Sequence, residues 1–153
     1  MKSISLFLMI IPLLCFSQLK TVSFADWEMK QKQEPRPTVI HIYTDWCPVC
    51  KIEQFKINKD RQLLEFINDN CYFIAFEAEK MTETVRFQGK TFRYLPNGNS
   101  GIHELALALS KNKGRPVYPL WIILDKNQNL VDYHEGIFTP EKLKKKLSEI
   151  PDL

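Results

Sequence analysis

The sequence predicts a single α/β domain with a mixed central sheet flanked by helices. Short apolar runs, each the length of one strand, alternate along the chain with segments whose apolar residues recur at helical spacing. Such alternation is typical of sheets whose strands run parallel. A tight turn at 125–129 separates the last two strands, so these two must pair antiparallel. A hairpin-containing insert at about 77–101 completes the predicted fold class.

The first half of the chain predicts a helix, a strand, two helices and a second strand. Ser23 can cap the first helix, and the prolines at 35 and 37 end it. The first strand is apolar except for His41, as expected of a strand that is covered on both faces. The predicted elements are a helix over 23–32, a strand over 38–43, helices over 47–57 and 60–68, and a strand over 71–76.

The second half begins with the insert. Two segments, 84–87 and 91–94, alternate at period two around Gly89 and predict a hairpin, which we expect to cover a sheet edge or to bind a partner. A turn cluster at 96–99 and a helix from Ile102 to Leu109 follow. The last elements are strands over 119–124 and 130–134, and a helix capped by Thr139 with Pro140 at its first position.

The first seventeen residues have the layout of a secretory signal peptide. Lys2 gives a positive start, 4–16 is almost entirely apolar, and Ser17 is a small residue at the exit. We expect cleavage just after Ser17, which leaves 18–153 as a domain in the periplasm or otherwise outside the cytoplasm. Two alternatives stay open, namely lipid attachment at Cys15 and retention of the segment as an anchor.

Composition narrows the function classes. The chain is 44% hydrophobic with a formal charge of +3, which is ample for one core and gives little support to nucleic-acid binding. The basic run at 142–146 lies on a predicted amphipathic helix, so we interpret it as a solvated face. Without the leader an odd set of cysteines remains, Cys47, Cys50 and Cys71, which does not suggest a disulfide-stapled scaffold.

The motif Cys47-Pro48-Val49-Cys50 lies where an apolar strand gives way to a helix. Cys47 falls at or near the N-cap, so unpaired backbone N–H groups and the positive end of the helix dipole face its sulfur and favour thiolate over thiol. Cys50 returns to the same face, close enough for a disulfide. We therefore predict that Cys47 is the attacking nucleophile and that Cys50 is the resolving cysteine.

Two other uses of the pair have weaker support. A structural zinc site needs four ligands, usually in two paired clusters, and here Cys71 and three histidines would have to converge from scattered places. A permanent structural disulfide that closes so short a loop gains little stability. Copper or zinc handling by the cysteine pair stays open as an alternative function, although we expect no resident metal or cofactor.

The segment Asp45-Trp46-Cys47-Pro48-Val49-Cys50-Lys51, after an apolar strand, resembles the thioredoxin superfamily, and most of all the exported domains of periplasmic disulfide reductases. The resemblance covers 23–150 and implies a thioredoxin-like fold. It implies that Trp46 flanks the nucleophile, and that Pro119 is a cis-proline beside the active-site sulfur with Tyr118 as its neighbour at the substrate groove. It also implies exchange with protein thiols and an electron-donor redox protein as a second partner.

One position departs from the family pattern. Six residues before Cys47 the family often has a buried acid that relays protons to the resolving cysteine, whereas this chain has His41. The free pKa of histidine, about 6.5, suits proton transfer. We hypothesise that His41 assists the deprotonation of Cys50; the alternative is a core histidine with satisfied hydrogen bonds. Cys71 opens an apolar strand and is interpreted as a small buried hydrophobe.

The sequence thus predicts an exported, monomeric thiol–disulfide oxidoreductase that reduces or isomerises protein disulfides through Cys47 and Cys50. A reductase or isomerase fits the resemblance better than a strong oxidant. A redox-inactive binding or chaperone module on the same scaffold is the alternative outside enzymology. We expect contact with a membrane only through an uncleaved or lipidated N-terminus.

Overall fold

The computed structural model of the chain describes residues 18–112 and 115–151, and the predicted signal peptide lies outside these ranges. Within them, no helix is both long and apolar enough to cross a bilayer. The elements are α1 (Phe24–Gln33), β1 (Thr38–Tyr43), α2 (Pro48–Lys59), α3 (Arg61–Asn70), β2 (Tyr72–Glu77), β3 (Val85–Phe87), β4 (Lys90–Phe92), β5 (Tyr94–Asn97), β6 (Ser100–His103), α4 (Glu104–Leu109), β7 (Leu120–Leu124), β8 (Leu130–Glu135) and α5 (Pro140–Ser148).

The central sheet has four strands in the order β2-β1-β7-β8. β1 and β2 run parallel, with Thr38 opposite Tyr72, whereas β1 and β7 run antiparallel, as do β7 and β8. The predicted mixed sheet and the predicted antiparallel pairing of the last two strands are confirmed. β1 is therefore an interior strand, and the loop that follows it lies near the middle of the sheet, at the carboxyl end of β1.

Side chains of β1 alternate between two cores because successive residues of a strand point to opposite faces. Ile40 and Ile42 join an aromatic-rich cluster with α1 and β3. Val39 joins the other cluster, which α2, α3 and α5 cover. His41 lies on this second face, where its ring packs against Trp121 of β7. The polar residue of β1 thus lies beneath the helix that begins with the cysteine motif.

The predicted hairpin of the insert is confirmed as β3–β4. Its turn contains Gln88 and Gly89, both at positive φ, where glycine is favoured. Val85 and Phe87 are buried, and the Phe87 ring lies 5.4 Å from the Trp27 ring of α1. The apolar face of this hairpin therefore packs on α1, and β3 pairs with β4 alone among the described strands, so the hairpin does not extend the central sheet.

A second hairpin, β5–β6, lies within the region predicted as turn and helix. Ile102 pairs with Leu95 across this hairpin, so the prediction of helix from Ile102 is wrong. The helix begins two residues later at Glu104 and is capped by His103, whose Nδ1 accepts the Leu105 N–H at 3.1 Å. The error arose because one apolar residue satisfies both helical spacing and strand alternation.

Candidate redox site

The cysteine motif forms the start of α2, as the sequence predicts. The chain turns after β1, and the Cys47 N–H donates to the Thr44 carbonyl at 3.1 Å. Cys47 is the N-cap of α2 and Pro48 is its first residue. The Cys50 N–H donates to the Cys47 Sγ at 3.2 Å, so the sulfur replaces the side-chain oxygen of an ordinary N-cap. One backbone donor of the helix start is thereby aimed at the sulfur.

Cys47 and Cys50 form a disulfide with their Cα atoms 5.4 Å apart, so the structure represents the oxidised pair. Both residues are buried, with exposed fractions of 5% for Cys47 and 1% for Cys50. Cys47 is thus the slightly more exposed residue of the pair. The roles of nucleophile and resolving cysteine stay predictions.

Trp46 and Tyr118 lie together at the mouth of this site. The Trp46 side chain is exposed, and its indole N–H donates to Glu79 Oε2 at 2.7 Å. The Tyr118 ring meets the Trp46 ring edge-on, with centroids 6.3 Å apart. The Tyr118–Pro119 peptide bond is cis, and the Pro119 carbonyl accepts the Gly136 N–H at 2.8 Å. The groove residues named from the resemblance thus come from two loops that meet in space.

Tyr118 keeps a protonated hydroxyl in this position. Burial raises its pKa, and the nearby carboxylates Glu79 and Glu77 raise it further. The hydroxyl is buried and has no hydrogen-bond partner among the described residues. An unpaired buried hydroxyl is costly, so the Tyr118 side chain is held here by its ring contacts and not by a hydrogen bond.

Glu77 ties the loop before the cysteines to the start of the insert. Its carboxylate accepts N–H groups from Asp45 at 3.1 Å, from Glu79 at 2.8 Å and from Lys80. Lys80 also pairs with the Asp45 carboxylate. The sequence analysis missed Glu77. The available signal was a charged residue at the end of an apolar strand, because the carboxyl ends of neighbouring parallel strands lie side by side.

His41 is buried directly under α2. Its ring stacks on Trp121 with centroids 4.1 Å apart, and its Nε2 lies 3.2 Å from Glu53 Oε2. Among the described residues, neither of these two atoms has a hydrogen-bond partner elsewhere. His41 also lines a cavity of about 450 Å³ between α2 and the sheet. The histidine is therefore half of a buried pair of titratable groups.

Glu53 is the buried acid that sequence reasoning did not find. Its side chain is fully buried, and its Oε1 accepts the Trp121 indole N–H at 3.0 Å and the Phe138 N–H at 2.5 Å. A buried acid thus lies beside His41, but it comes from α2, three residues after Cys50. Helical spacing was the available signal, because Cys50, Glu53 and Ile57 share the inward face of α2.

Cys71 does not join the site. It is buried in the α2–α3–α5 cluster as the C-cap of α3, and its thiol is free. Burial raises its pKa to about 12, against a smaller opposing effect from Arg36. The interpretation of Cys71 as a small buried hydrophobe is confirmed. Across 18–112 and 115–151, no three side chains of the metal-binding types lie close enough together to hold a metal ion.

Comparisons with known proteins agree on the fold. The family model described as the thioredoxin-like domain matches residues 25–151. A solved DsbH oxidoreductase is 16% identical, covers 96% of this chain and 96% of its own, and has a TM-score of 0.55. A chloroplastic thioredoxin z is 12% identical, covering 86% of this chain and 93% of its own, with a TM-score of 0.53.

A third solved structure is an exposed lipoprotein thioredoxin from Streptococcus pneumoniae strain TIGR4. It is 15% identical, covers 86% of this chain and 93% of its own, and has a TM-score of 0.53. No curated protein sequence matches the chain. At these identities the solved structures establish the fold alone, and the predicted thioredoxin-like fold is confirmed.

Proposed function

We propose a function from two facts taken together: the chain belongs to the thioredoxin-like domain family, and Cys47 caps α2 with Cys50 bonded to it. The fold with this cysteine pair supports a thiol–disulfide oxidoreductase. The finer proposal is a monomeric, exported enzyme that reduces or isomerises the disulfides of other proteins. A second redox protein supplies its electrons.

The hydrogen bond from the Cys50 N–H to the Cys47 sulfur is the observation that carries the proposal. Lowering a thiol pKa from ~8.5 to ~7 requires about 2 kcal/mol of preferential thiolate stabilisation. A helix dipole contributes ~0.3–1 kcal/mol, and a hydrogen bond to a charged group contributes about 1.5–3 kcal/mol. The two contributions together are large enough, and both act at Cys47.

The reaction proceeds in two exchanges that conserve electrons. The Cys47 thiolate attacks one sulfur of a substrate disulfide, forming a mixed disulfide and releasing the other substrate sulfur as a thiolate that takes up a proton. Cys50 then loses its proton and attacks the Cys47 sulfur, which releases the second substrate thiolate. The substrate gains two electrons, and the chain is left with the disulfide between Cys47 and Cys50.

Trp46, Tyr118 and Pro119 form the proposed substrate-binding surface. Trp46 offers an exposed ring immediately before Cys47, fixed by its bond to Glu79. The Tyr118 ring packs edge-on against the Trp46 ring, so the two rings form one wall of this surface. Pro119 adjoins Tyr118 in the cis form. A substrate segment would lie across these three residues with its sulfur over Cys47.

The proposed proton relay for Cys50 consists of Glu53 and His41. Glu53 lies one helical turn after Cys50 on the inward face of α2, and its second oxygen faces His41 Nε2 at 3.2 Å. A proton leaving Cys50 can pass to Glu53 and on to His41. His41 also lines the cavity between α2 and the sheet. The relay would act in the second exchange, when Cys50 must become a thiolate.

Export is proposed from the leader-like segment at 1–17. N-terminal sequencing of the chain recovered from the periplasmic fraction of a bacterial host tests it. We expect the sequence to begin at Gln18. Recovery of full-length chain from the cytoplasm alone would contradict export and leave the redox proposal untouched.

Trapping of the mixed disulfide tests the enzyme directly. Reduced Cys50→Ser, when challenged with a scrambled, disulfide-containing protein, should accumulate a mixed disulfide at Cys47, because the resolving thiol is missing. Cys47→Ser should trap none, and Cys71→Ser should turn over as the native chain does. Trapping through Cys50 in the Cys47→Ser variant would reverse the assigned roles. If the Cys47→Ser variant still acted on its substrate protein, that result would favour the chaperone alternative.

A further inference from the structure

Helix α2 presents an apolar face to solvent on the side away from Glu53. Val49, Ile52 and Phe55 are 38%, 53% and 60% exposed. They recur at every third residue, so they form one stripe, here called the α2 stripe, that extends about 9 Å along the helix axis. A helix that faces only water carries polar residues at such positions. The α2 stripe starts inside the cysteine motif, so whatever covers it lies beside Cys47.

The exposed charged side chains of α2 itself are all positive. Lys51, Lys56 and Lys59 are exposed on the same helix, and Lys59 Nζ lies 4.1 Å from the centroid of the Phe55 ring. The only carboxylate on α2 is Glu53, which is fully buried. The exposed surface of α2 therefore combines apolar side chains with positive charge.

We propose that the α2 stripe docks a segment of a partner protein that is both apolar and acidic, and holds that partner's disulfide or dithiol against Cys47. The apolar side chains of such a segment would cover Ile52 and Phe55, and its carboxylates would lie opposite Lys56 and Lys59. The inference rests on the proposed function in one respect, namely that the docked protein exchanges thiols and disulfides with Cys47.

The charges at the active-site end of the stripe oppose a lipid surface as the occupant. Trp46 donates there to the Glu79 carboxylate, and the half-exposed Asp45 carboxylate is paired with Lys80. A bilayer rich in anionic lipid is attracted by the lysines of α2, but at this end of the stripe it meets the Glu79 carboxylate and a pair of opposite charges that gives no net attraction. A protein segment can place its carboxylates at the lysine end alone. Because the lysines and the carboxylate lie at opposite ends of the α2 stripe, they also fix the direction in which the segment lies.

Peptide binding tests the inference without any redox step. The probes are labelled, cysteine-free amphipathic peptides of equal length that carry leucine and phenylalanine with either glutamate or lysine at the polar positions. By fluorescence anisotropy, we expect the glutamate peptide to bind the whole oxidised chain about tenfold or more tightly than the lysine peptide, and the preference to shrink with salt. The double variant Ile52→Ser/Phe55→Ser should lose about tenfold in affinity.

Two further variants control the experiment. Met29→Ser removes another exposed apolar side chain, 57% exposed on α1, and should bind the glutamate peptide as the native chain does. Lys56→Glu/Lys59→Glu should reverse the preference in favour of the lysine peptide. This second variant keeps the test decisive if the serine variant unfolds, which circular dichroism detects.

Equal binding of the two peptides, or unchanged binding by a folded Ile52→Ser/Phe55→Ser variant, would overturn the inference. Vesicles of phosphatidylcholine and phosphatidylglycerol that bind the native chain more tightly than the glutamate peptide does would assign the stripe to a membrane instead. Cycling of the native chain with oxidised glutathione is measured separately. Its failure removes the proposed redox function, whereas the peptide results stand by themselves.

Discussion

Cys47 and Cys71 occupy opposite ends of helices, and the contrast shows how the fold decides what a thiol does. Cys47 is the N-cap of α2, where a backbone N–H from Cys50 points at its sulfur. Cys71 is the C-cap of α3, where unpaired carbonyls carry partial negative charge, and burial raises its pKa to about 12. One site stabilises a thiolate and the other opposes it, so residue type alone does not identify a redox cysteine.

The largest expected effect comes from removing each thiol in turn. Cys47→Ser should reduce turnover of a protein disulfide to background, because the remaining thiol of the pair, Cys50, is 1% exposed and is not the N-cap of α2. Cys71→Ser should retain the native rate, with some loss of stability. Insulin reduction followed by turbidity measures both. A Cys71→Ser variant as inactive as Cys47→Ser would erase the contrast between the two helix ends.

Alkylation of the reduced chain sharpens the same contrast. With a pKa of about 12, Cys71 has a thiolate fraction of about 10⁻⁵ at pH 7. We expect iodoacetamide to modify Cys47 at least about a thousandfold faster than Cys71, as read by mass spectrometry of proteolytic peptides. Unfolding in guanidinium should abolish the difference. Comparable rates in the folded chain would show that the helix ends do not control reactivity.

The buried pair of His41 and Glu53 extends the contrast to Cys50. His41→Phe keeps the stacking on Trp121 but cannot carry a proton, and Glu53→Gln keeps an acceptor for the Trp121 indole. Each variant should slow resolution of the mixed disulfide by about a hundredfold and flatten its dependence on pH. Quenched-flow kinetics across pH measures this.

A purely structural role for the pair predicts something different. Both variants would then lower the free energy of unfolding, while the rate of resolution and its pH profile stayed unchanged. Met29→Ser, at an exposed position on α1, is the matched control and should alter neither quantity. Native kinetics in both relay variants would remove the proton relay and leave the cysteine roles intact.

The smallest expected effect is an alkaline loss of stability at Cys71. The pKa of Cys71 is raised in the folded chain. Once the pH exceeds the pKa of an ordinary thiol, about 8.5, unfolding releases the Cys71 proton, so the free energy of unfolding falls as the pH rises toward 12. Relative to Cys71→Ala, the native chain should lose about 1.4 kcal/mol of unfolding free energy for each pH unit above about 9. Urea denaturation of both chains measures it.

Parallel stability curves for the native chain and Cys71→Ala from pH 7 to alkaline pH would contradict the raised pKa. Other groups that titrate in this range, such as the tyrosines, occur in both chains. Their contributions cancel in the comparison, so the difference between the curves belongs to Cys71.

Local signals in the sequence were sufficient for the cysteine motif. An apolar run ending before Cys47, and Pro48 at a first helical position, predict the strand–helix junction without reference to the rest of the chain. The same signals fail for β5–β6, where a short segment fits both strand and helix periodicity. Local pattern is informative where two cues agree, and ambiguous where only one apolar residue decides.

Non-local contacts explain what the sequence could not supply. Glu53 is on the inward face of α2 by its spacing from Cys50, but its contact with His41 depends on how α2 packs across β1. The Trp46–Glu79 bond likewise joins residues from two separate segments of the chain. The exposure of Ile52 and Phe55 became known only from the packing, because spacing shows that they share a face and not whether anything covers it.

Equilibration of the chain with glutathione buffers of graded redox poise tests the central claim most directly, with the Cys47–Cys50 state read by alkylation and mass. We expect one reversible two-electron transition between disulfide and dithiol, with a midpoint near −270 mV for a reductase and Cys71 reduced throughout. A pair that stays oxidised or stays reduced across every buffer, and so fails to cycle, would contradict the proposed oxidoreductase.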